Sequence, residues 1–254
     1  MKCWVTRGTT AEPKPNRIGR ANPTYEGRYE GRQAMQIVIA DVLSAEELDT
    51  VRAALLRARF VDGRDTAGFA ARLVKNNRQA AASDRSIETV RKLVAERILG
   101  NELFRLAVRP KALTPLLFSR YDADMHYGSH VDDALMDGMR TDVSFTLFLS
   151  EPDSYDGGEL VIESAAGEDA MKLAAGSLLA YPSTSLHRVA AVTRGARLAA
   201  VGWARSFIRD AARRELLFDL DTARRALFAR EGKSAEFDLI AKSTANLLRM
   251  WAED

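Results

Sequence analysis

The chain is short of cysteine, of histidine and of long apolar runs. Cys3 is its only cysteine among 254 residues, so neither an internal disulfide framework nor a thiolate metal site can form. That composition fits a reducing compartment and points to a cytoplasmic protein. No stretch approaches the roughly 20 apolar residues of a membrane span. The opening MKCWVTRGTT lacks the apolar centre of a secretory signal. Charge of one sign is lacking too: 37 Lys and Arg stand against 35 Asp and Glu, a net charge of +2. A dedicated nucleic-acid binder concentrates a basic face. The arginines here interleave with acids along helical stretches, as solvated helix faces do. Neither a nucleic acid nor a membrane is expected as a partner, and nothing in the sequence reports the oligomeric state.

Apolar residues make up 46% of the chain and charged residues 28%, enough to bury a sizeable core. They are distributed unevenly. Residues 1–34 are rich in Arg, Gly, Pro, Asn and Thr and poor in aliphatics, so they cannot bury enough apolar area to offset their ordering entropy. They read as an extension without packed structure, or as the product of an upstream start codon, since Met35 opens the first apolar run. A basic arm is the alternative. Residues 35–42 read as a strand. Ser44 and Glu47 have capping-box spacing, and Leu48, Val51, Leu55 and Ala58 follow at helical intervals. A second helix is expected from Ser86 to Leu99, with Gly100 as its C-terminal glycine. The polar stretch containing Lys75, Asn76 and Asn77 has the composition of a loop that could cover a site. From residue 112 short strands take over, at 115–121, 142–150, 159–163, 177–181, 187–192 and 196–205, separated by turns such as Asp156-Gly157-Gly158 and Thr193-Arg194-Gly195. Such spacing predicts a sandwich or barrel. After Ser206 helical spacing returns. The expected division is an extension (1–34), a helix-and-strand support region (35–111), a β core (112–206) and a helical region (207–254).

Two of the three histidines, His130 and His187, stand where they could do chemistry. His130 and Asp132 are two residues apart, and on a strand such side chains share a face. A carboxylate two residues after a histidine is a weak signal alone, since about 0.4 such pairs arise by chance in this composition. His187 opens a later strand and supplies a third donor. Two histidines and one carboxylate leave half of a metal's coordination sphere open, which suits iron(II) binding a chelating cosubstrate together with oxygen. Arg197 follows ten residues after His187, across the Thr193-Arg194-Gly195 turn. That places both on adjacent antiparallel strands facing the barrel interior. A buried guanidinium needs a partner; its fork matches a carboxylate, whether that of a bound cosubstrate or of an internal aspartate.

The stretches RYDADMHYGSHVD, YDGGELVIE and LHRVAAVTRGARLAAVGWAR resemble the H-x-D and distal H-x(10)-R segments of the prolyl-hydroxylase-like iron/2-oxoglutarate oxygenases. VKNNRQ, MRTDVSFTLFLSEPDSYDGGEL, YPSTSLHRVAAVTRGARLA and SFIRDAARRELLFDLD are similar to the bacterial PKHD-type hydroxylases, a family also labelled an iron-uptake factor. The resemblance runs from Met35 to the C-terminus. It implies an α+β protein with a double-stranded β-helix (jelly-roll) core, flanking N- and C-terminal helices, and a dioxygenase that hydroxylates an unidentified substrate with release of succinate and CO2. It implies Fe(2+) and the cosubstrate 2-oxoglutarate, with O2, and allows for L-ascorbate. Carried over, His130, Asp132 and His187 are the catalytic metal ligands, Arg197 the 2-oxoglutarate anchor, and Tyr121 and Tyr127 pocket tyrosines whose alternative is ordinary aromatic packing. Trp203 shares strand parity with Arg197 and reads as core. His126 has no place in the motif and reads as exposed or outlying. The alternatives to an enzyme are a cupin-like metalloprotein and a non-catalytic iron/2-oxoglutarate sensor.

Overall fold

The structure, a computed structural model, describes residues 3–6 and 35–254. Strand β1 (Cys3–Thr6) is followed, from residue 35, by β2 (Gln36–Ile39) and helix α1 (Ala45–Arg57). The Ser44 side chain accepts from the Glu47 amide, and the Glu47 carboxylate accepts from the Ser44 amide, so the capping box forms as its spacing predicts. Leu48, Val51 and Leu55 line the buried face of α1. Strands β3 (Phe60–Asp62), β4 (Lys75–Asn76) and β5 (Arg78–Ala80) precede helices α2 (Glu88–Gly100) and α3 (Glu102–Val108). Gly100 is the last residue of α2, within a residue of the expected end. Asn101, with extended backbone, ends α2 and caps α3 by accepting from the Phe104 amide, a junction the sequence reading had not resolved into two helices.

The β body comprises β6 (Pro110–Leu113), β7 (Leu117–Tyr121), β8 (His126–His130), β9 (Leu135–Met136), β10 (Met139–Arg140), β11 (Val143–Phe148), β12 (Asp156–Gly157), β13 (Leu160–Ser164), β14 (Gly167–Met171), β15 (Leu178–Pro182), β16 (His187–Val189), β17 (Val192–Arg194) and β18 (Arg197–Ser206). Helices α4 (Ala211–Glu231) and α5 (Ala235–Trp251) follow it. Among the described residues, the larger sheet runs β1-β2-β15-β11-β18-β7-β5-β3 with β6 beside β18, and the smaller runs β14-β13-β16-β8-β4. Consecutive strands pass between the sheets, giving the expected jelly roll with flanking helices. No helix among the described residues is long and apolar enough to cross a membrane.

Strand β11 shows how the body is layered. All six of its residues are buried, because both faces are covered. Val143, Phe145 and Leu147 join the core cluster formed with Val51, Leu55, Val94, Ile98 and Phe104 of the helices. The alternate residues Ser144 and Thr146 face the space between the sheets, as a two-residue period requires. A second cluster there includes Tyr121, Phe148, Leu160, Ile162, Leu179, Tyr181 and Val189. The C-terminal helices are tied on through a buried Arg109–Asp221 ion pair and by Arg214, which donates to the carbonyls of Ile208 and Arg209 at 2.8 Å.

Strand β1 departs from the expectation for residues 1–34. Cys3–Thr6 pair antiparallel with Gln36–Ile39 in unshifted register, extending the edge of the larger sheet. Backbone pairing requires no aliphatic composition, so the reading from side chains missed it. The remainder of the predicted extension lies outside the described residues. Deleting residues 1–34 is expected to lower the melting temperature by a few degrees and to leave iron binding intact, because the exposed edge of β2 can bond water while its other edge stays paired with β15. Melting curves and iron content of the full and shortened chains would check this; unfolding on truncation would show that β1 is required for the fold.

Candidate functional site

His130 ends β8, Asp132 follows it, and His187 opens β16, directly opposite His130 in the antiparallel ladder. One donor atom from each of the three lies within 4.8 Å of the other two. His187 Nε2 is 3.8 Å from Asp132 Oδ2. Each imidazole turns its Nδ1 to a backbone carbonyl, His130 to Gly128 at 2.8 Å and His187 to Ser185 at 3.1 Å. Nδ1–H donation there leaves the Nε2 lone pair directed into the cluster. The Ser144 hydroxyl donates to Asp132 Oδ2 at 2.5 Å and lies 2.8 Å from the Ser183 hydroxyl, which fixes the carboxylate. Burial, then the neighbouring His187, pulls the His130 imidazole down to about 4, so it is neutral and a competent ligand at ordinary pH. The donor set, hard carboxylate plus two imidazoles, fits a divalent first-row metal such as iron(II).

The cluster opens into a pocket between the sheets, lined by residues of both. Arg197 lines it and is only 1% exposed. Its Nε has no hydrogen-bond partner, and among the described residues no carboxylate lies within ion-pair distance. The internal-aspartate alternative therefore finds no support among them. The guanidinium sits 5.2 Å from the Tyr121 ring centre and 5.3 Å from that of Phe148, with Tyr121 its direct partner across β7 and β18. Gly158 has a left-handed backbone (φ +68), and a Cβ there would meet Arg197 Cδ at 3.1 Å, so the guanidinium stem packs where glycine leaves room. Burial pushes the Tyr121 hydroxyl up, opposed by Arg197 and by the nearby Asn77 amide, which keeps it a neutral donor. The Tyr127 ring stacks on His130 at 3.6 Å and 17°.

Two expectations need correction. His187 and Arg197 are not on adjacent strands: β16 belongs to the smaller sheet, whereas β18 lies between β11 and β7 in the larger. The chain crosses between sheets at the Thr193-Arg194-Gly195 turn, as a jelly roll demands, so the two side chains enter the pocket from opposite walls. The stretch around Lys75 is not a loop. Lys75 and Asn76 pair with Tyr127 and His126 of β8, and β5 pairs with β7. Lys75, Asn77 and Gln79 alternate with exposed neighbours, and all three are buried pocket residues. They are polar because they face the pocket and not a core; their two-residue period was the available signal. Trp203 is half-buried and also lines the pocket, beside Ser144 and Tyr181. His126 is exposed, as expected.

The profile of the 2OG-Fe(II) oxygenase superfamily matches residues 116–205, and that of the PKHD-type hydroxylase C-terminal domain matches residues 210–253. This chain is thus an iron(II)- and 2-oxoglutarate-dependent oxygenase. A PKHD-type hydroxylase of Picosynechococcus sp. is 56% identical over 215 residues, 85% of this chain and 98% of its own length. Another, of Acaryochloris marina, is 55% identical over 219 residues, 86% of this chain and all of its own. The chain belongs to the PKHD-type hydroxylase family. Among solved structures, a Pseudomonas putida prolyl-4-hydroxylase aligns with TM-score 0.50 and 22% identity, over 67% of this chain and 92% of its own. HygX from Streptomyces hygroscopicus, with nickel and 2-oxoglutarate bound, aligns with TM-score 0.50 and 18% identity, over 68% and 84%. These two share the fold. The cupin-like and sensor alternatives give way to the family assignment.

Proposed function

We propose that His130, Asp132 and His187 hold the ferrous iron, that Arg197 pairs with the far carboxylate of 2-oxoglutarate, and that a substrate in the same pocket is hydroxylated with release of succinate and CO2. The observation that carries this reading is the convergence of three metal-type donors within 4.8 Å in a pocket whose buried guanidinium has no internal counter-charge. When bound, iron and 2-oxoglutarate supply the oxidising chemistry with molecular oxygen. The chain's own residues bind and orient. Gly128 and Ser185 carbonyls fix the imidazole tautomers, and Ser144 fixes the Asp132 carboxylate. Arg197 and the neutral Tyr121 hydroxyl present donors to a carboxylate. Tyr127, stacked on His130, holds that ring in place. Leu160, Tyr181 and Val189 make a dry wall beside the cluster. L-ascorbate as an accessory reductant and an iron-related role are carried over from the family resemblance alone, and the single cysteine supports a cytoplasmic location.

The full chain, reconstituted with iron(II) without oxygen and then given oxygen and 2-oxoglutarate, is expected to release succinate slowly with no added substrate. Absence of succinate from protein shown by metal analysis and calorimetry to hold both iron and 2-oxoglutarate would sink the reading.

A further inference from the structure

The proposed roles leave one buried cation of the pocket without an assignment. Lys75 is 7% exposed and stands one strand from His130. The approach of its strand is close. Gly128 donates to the Val74 carbonyl at 2.8 Å, and a Cβ on Gly128 would meet Val74 Cβ at 2.8 Å. The ammonium is held in place. Its Nζ donates to the Thr66 hydroxyl at 3.1 Å, and that hydroxyl in turn donates to Gln79 Oε1 at 2.5 Å. The Tyr127 ring, whose stacking on His130 fixes it, has Nζ 4.9 Å from its centre. An ammonium carries three donors, and Thr66 takes one. Among the described residues no carboxylate lies within ion-pair distance of Nζ. Burial pulls the Lys75 ammonium down to about 8, opposed through space by Asp132, which is committed to the metal under the proposed reading, and by Asp62, which lies beyond ion-pair distance and pairs with Arg64. Burying a cation without an anionic partner is costly, and a fold that builds a three-residue support for one prepares it for an anion from outside. Arg197 already serves one carboxylate from the opposite sheet. Beside Lys75, Asn77 is 3% exposed, and neither atom of its amide settles into hydrogen-bond geometry, although the Tyr121 hydroxyl is near.

We infer that Lys75 is a substrate-recognition residue, and that the molecule hydroxylated here presents a carboxylate to its ammonium. Asn77 offers the adjoining donor and acceptor to the same substrate. The inference rests on the dioxygenase reading, because it takes the metal and Arg197 as occupied by the cosubstrate.

Short N-acetyl amino acids (of glycine, alanine and leucine) and their amides are suitable probes, titrated by calorimetry without oxygen into the full chain loaded with iron and 2-oxoglutarate. One charge-assisted contact predicts that the acids bind at least about tenfold tighter than the amides. Lys75→Gln is expected to erase that preference and Lys75→Arg to keep it. Affinity for 2-oxoglutarate is expected to stay within about twofold in both, since each tenfold change would require about 1.4 kcal/mol of direct contact. Equal binding of acid and amide by the wild-type chain overturns the inference, as does a preference that survives Lys75→Gln. A loss of 2-oxoglutarate binding in Lys75→Gln also overturns it, by assigning the lysine to the cosubstrate. Should Lys75→Gln fail to fold, Thr66→Val, which leaves the charge and removes its tether, is expected to weaken the acid preference; an unchanged preference there counts against the inference. Failure of the wild type to bind iron or 2-oxoglutarate would instead strike the dioxygenase reading itself.

Discussion

His187→Ala, His130→Ala and Asp132→Ala are each expected to lose more than about 100-fold in iron affinity, since removing a mere outer partner of a metal ligand already costs about 10–100-fold. Iron-dependent succinate release should fall with it. The fold should survive. His130 and His187 stand at strand ends facing the pocket, outside the layer of Phe104, Phe118 and Phe145 that the helices cover. Their removal opens space next to space already open, without the cavity penalty of a core truncation. Ser144→Ala gives a graded control. It frees Asp132 from its 2.5 Å hydrogen bond without removing a donor atom, so about 10–100-fold weaker iron binding is expected. Metal content after equilibrium dialysis, with circular dichroism on the same samples, reads both halves of the claim. Wild-type iron binding in all three alanine variants would mean the centre lies elsewhere; collapse of the fold in all three would mean the cluster is structural.

The triad was legible because it falls in short local motifs that resemble those of a known family; strand geometry does not set the His130–Asp132 spacing, since β8 ends at His130 and Asp132 lies just beyond it. The helix cap at Ser44 was legible for the same reason, being a four-residue rule. What escaped were features fixed by tertiary context. Polar composition made Lys75, Asn76 and Asn77 look like a loop. Composition reports the environment a strand faces, and a strand lining a polar pocket faces no core. The placement of His187 and Arg197 on one sheet followed from treating a Gly turn as a hairpin. The same turn serves equally to pass the chain to the opposite sheet, and only the pairing of β18 with β11 and β7 decides it. Strand-forming Trp4, Val5 and Thr6 were a signal for the four-residue β1, outweighed by the polar composition of the segment that follows them. Trp203 was assigned to core on strand parity; the parity was right, but the face it shares with Arg197 borders the pocket.

Arg197→Ala is expected to weaken 2-oxoglutarate binding at least about 100-fold, because hydrogen bonds to a charged group are worth about 1.5–3 kcal/mol each and the guanidinium offers a carboxylate two of them. Iron affinity should change little, since Arg197 enters from the larger sheet and the three donors from the smaller sheet and the residue just after β8. That separation distinguishes an anchor from a general support, which would drag both constants down together. Arg197→Lys keeps the charge and loses the fork, so roughly tenfold weaker binding is expected, one of two charge-assisted contacts being retained. The stability of the protein without its cosubstrate gives a second readout. The wild-type guanidinium is buried with an unpartnered Nε, against the Tyr121 and Phe148 rings and near the Tyr155 hydroxyl. Truncation therefore removes an uncompensated charge together with its packing, and the two effects oppose each other. Added 2-oxoglutarate should raise the melting temperature of the iron-loaded wild type far more than that of Arg197→Ala, since stabilisation by a ligand follows its dissociation constant. An unchanged 2-oxoglutarate titration in Arg197→Ala, with iron bound, would remove the anchor role and leave the buried arginine without an explanation.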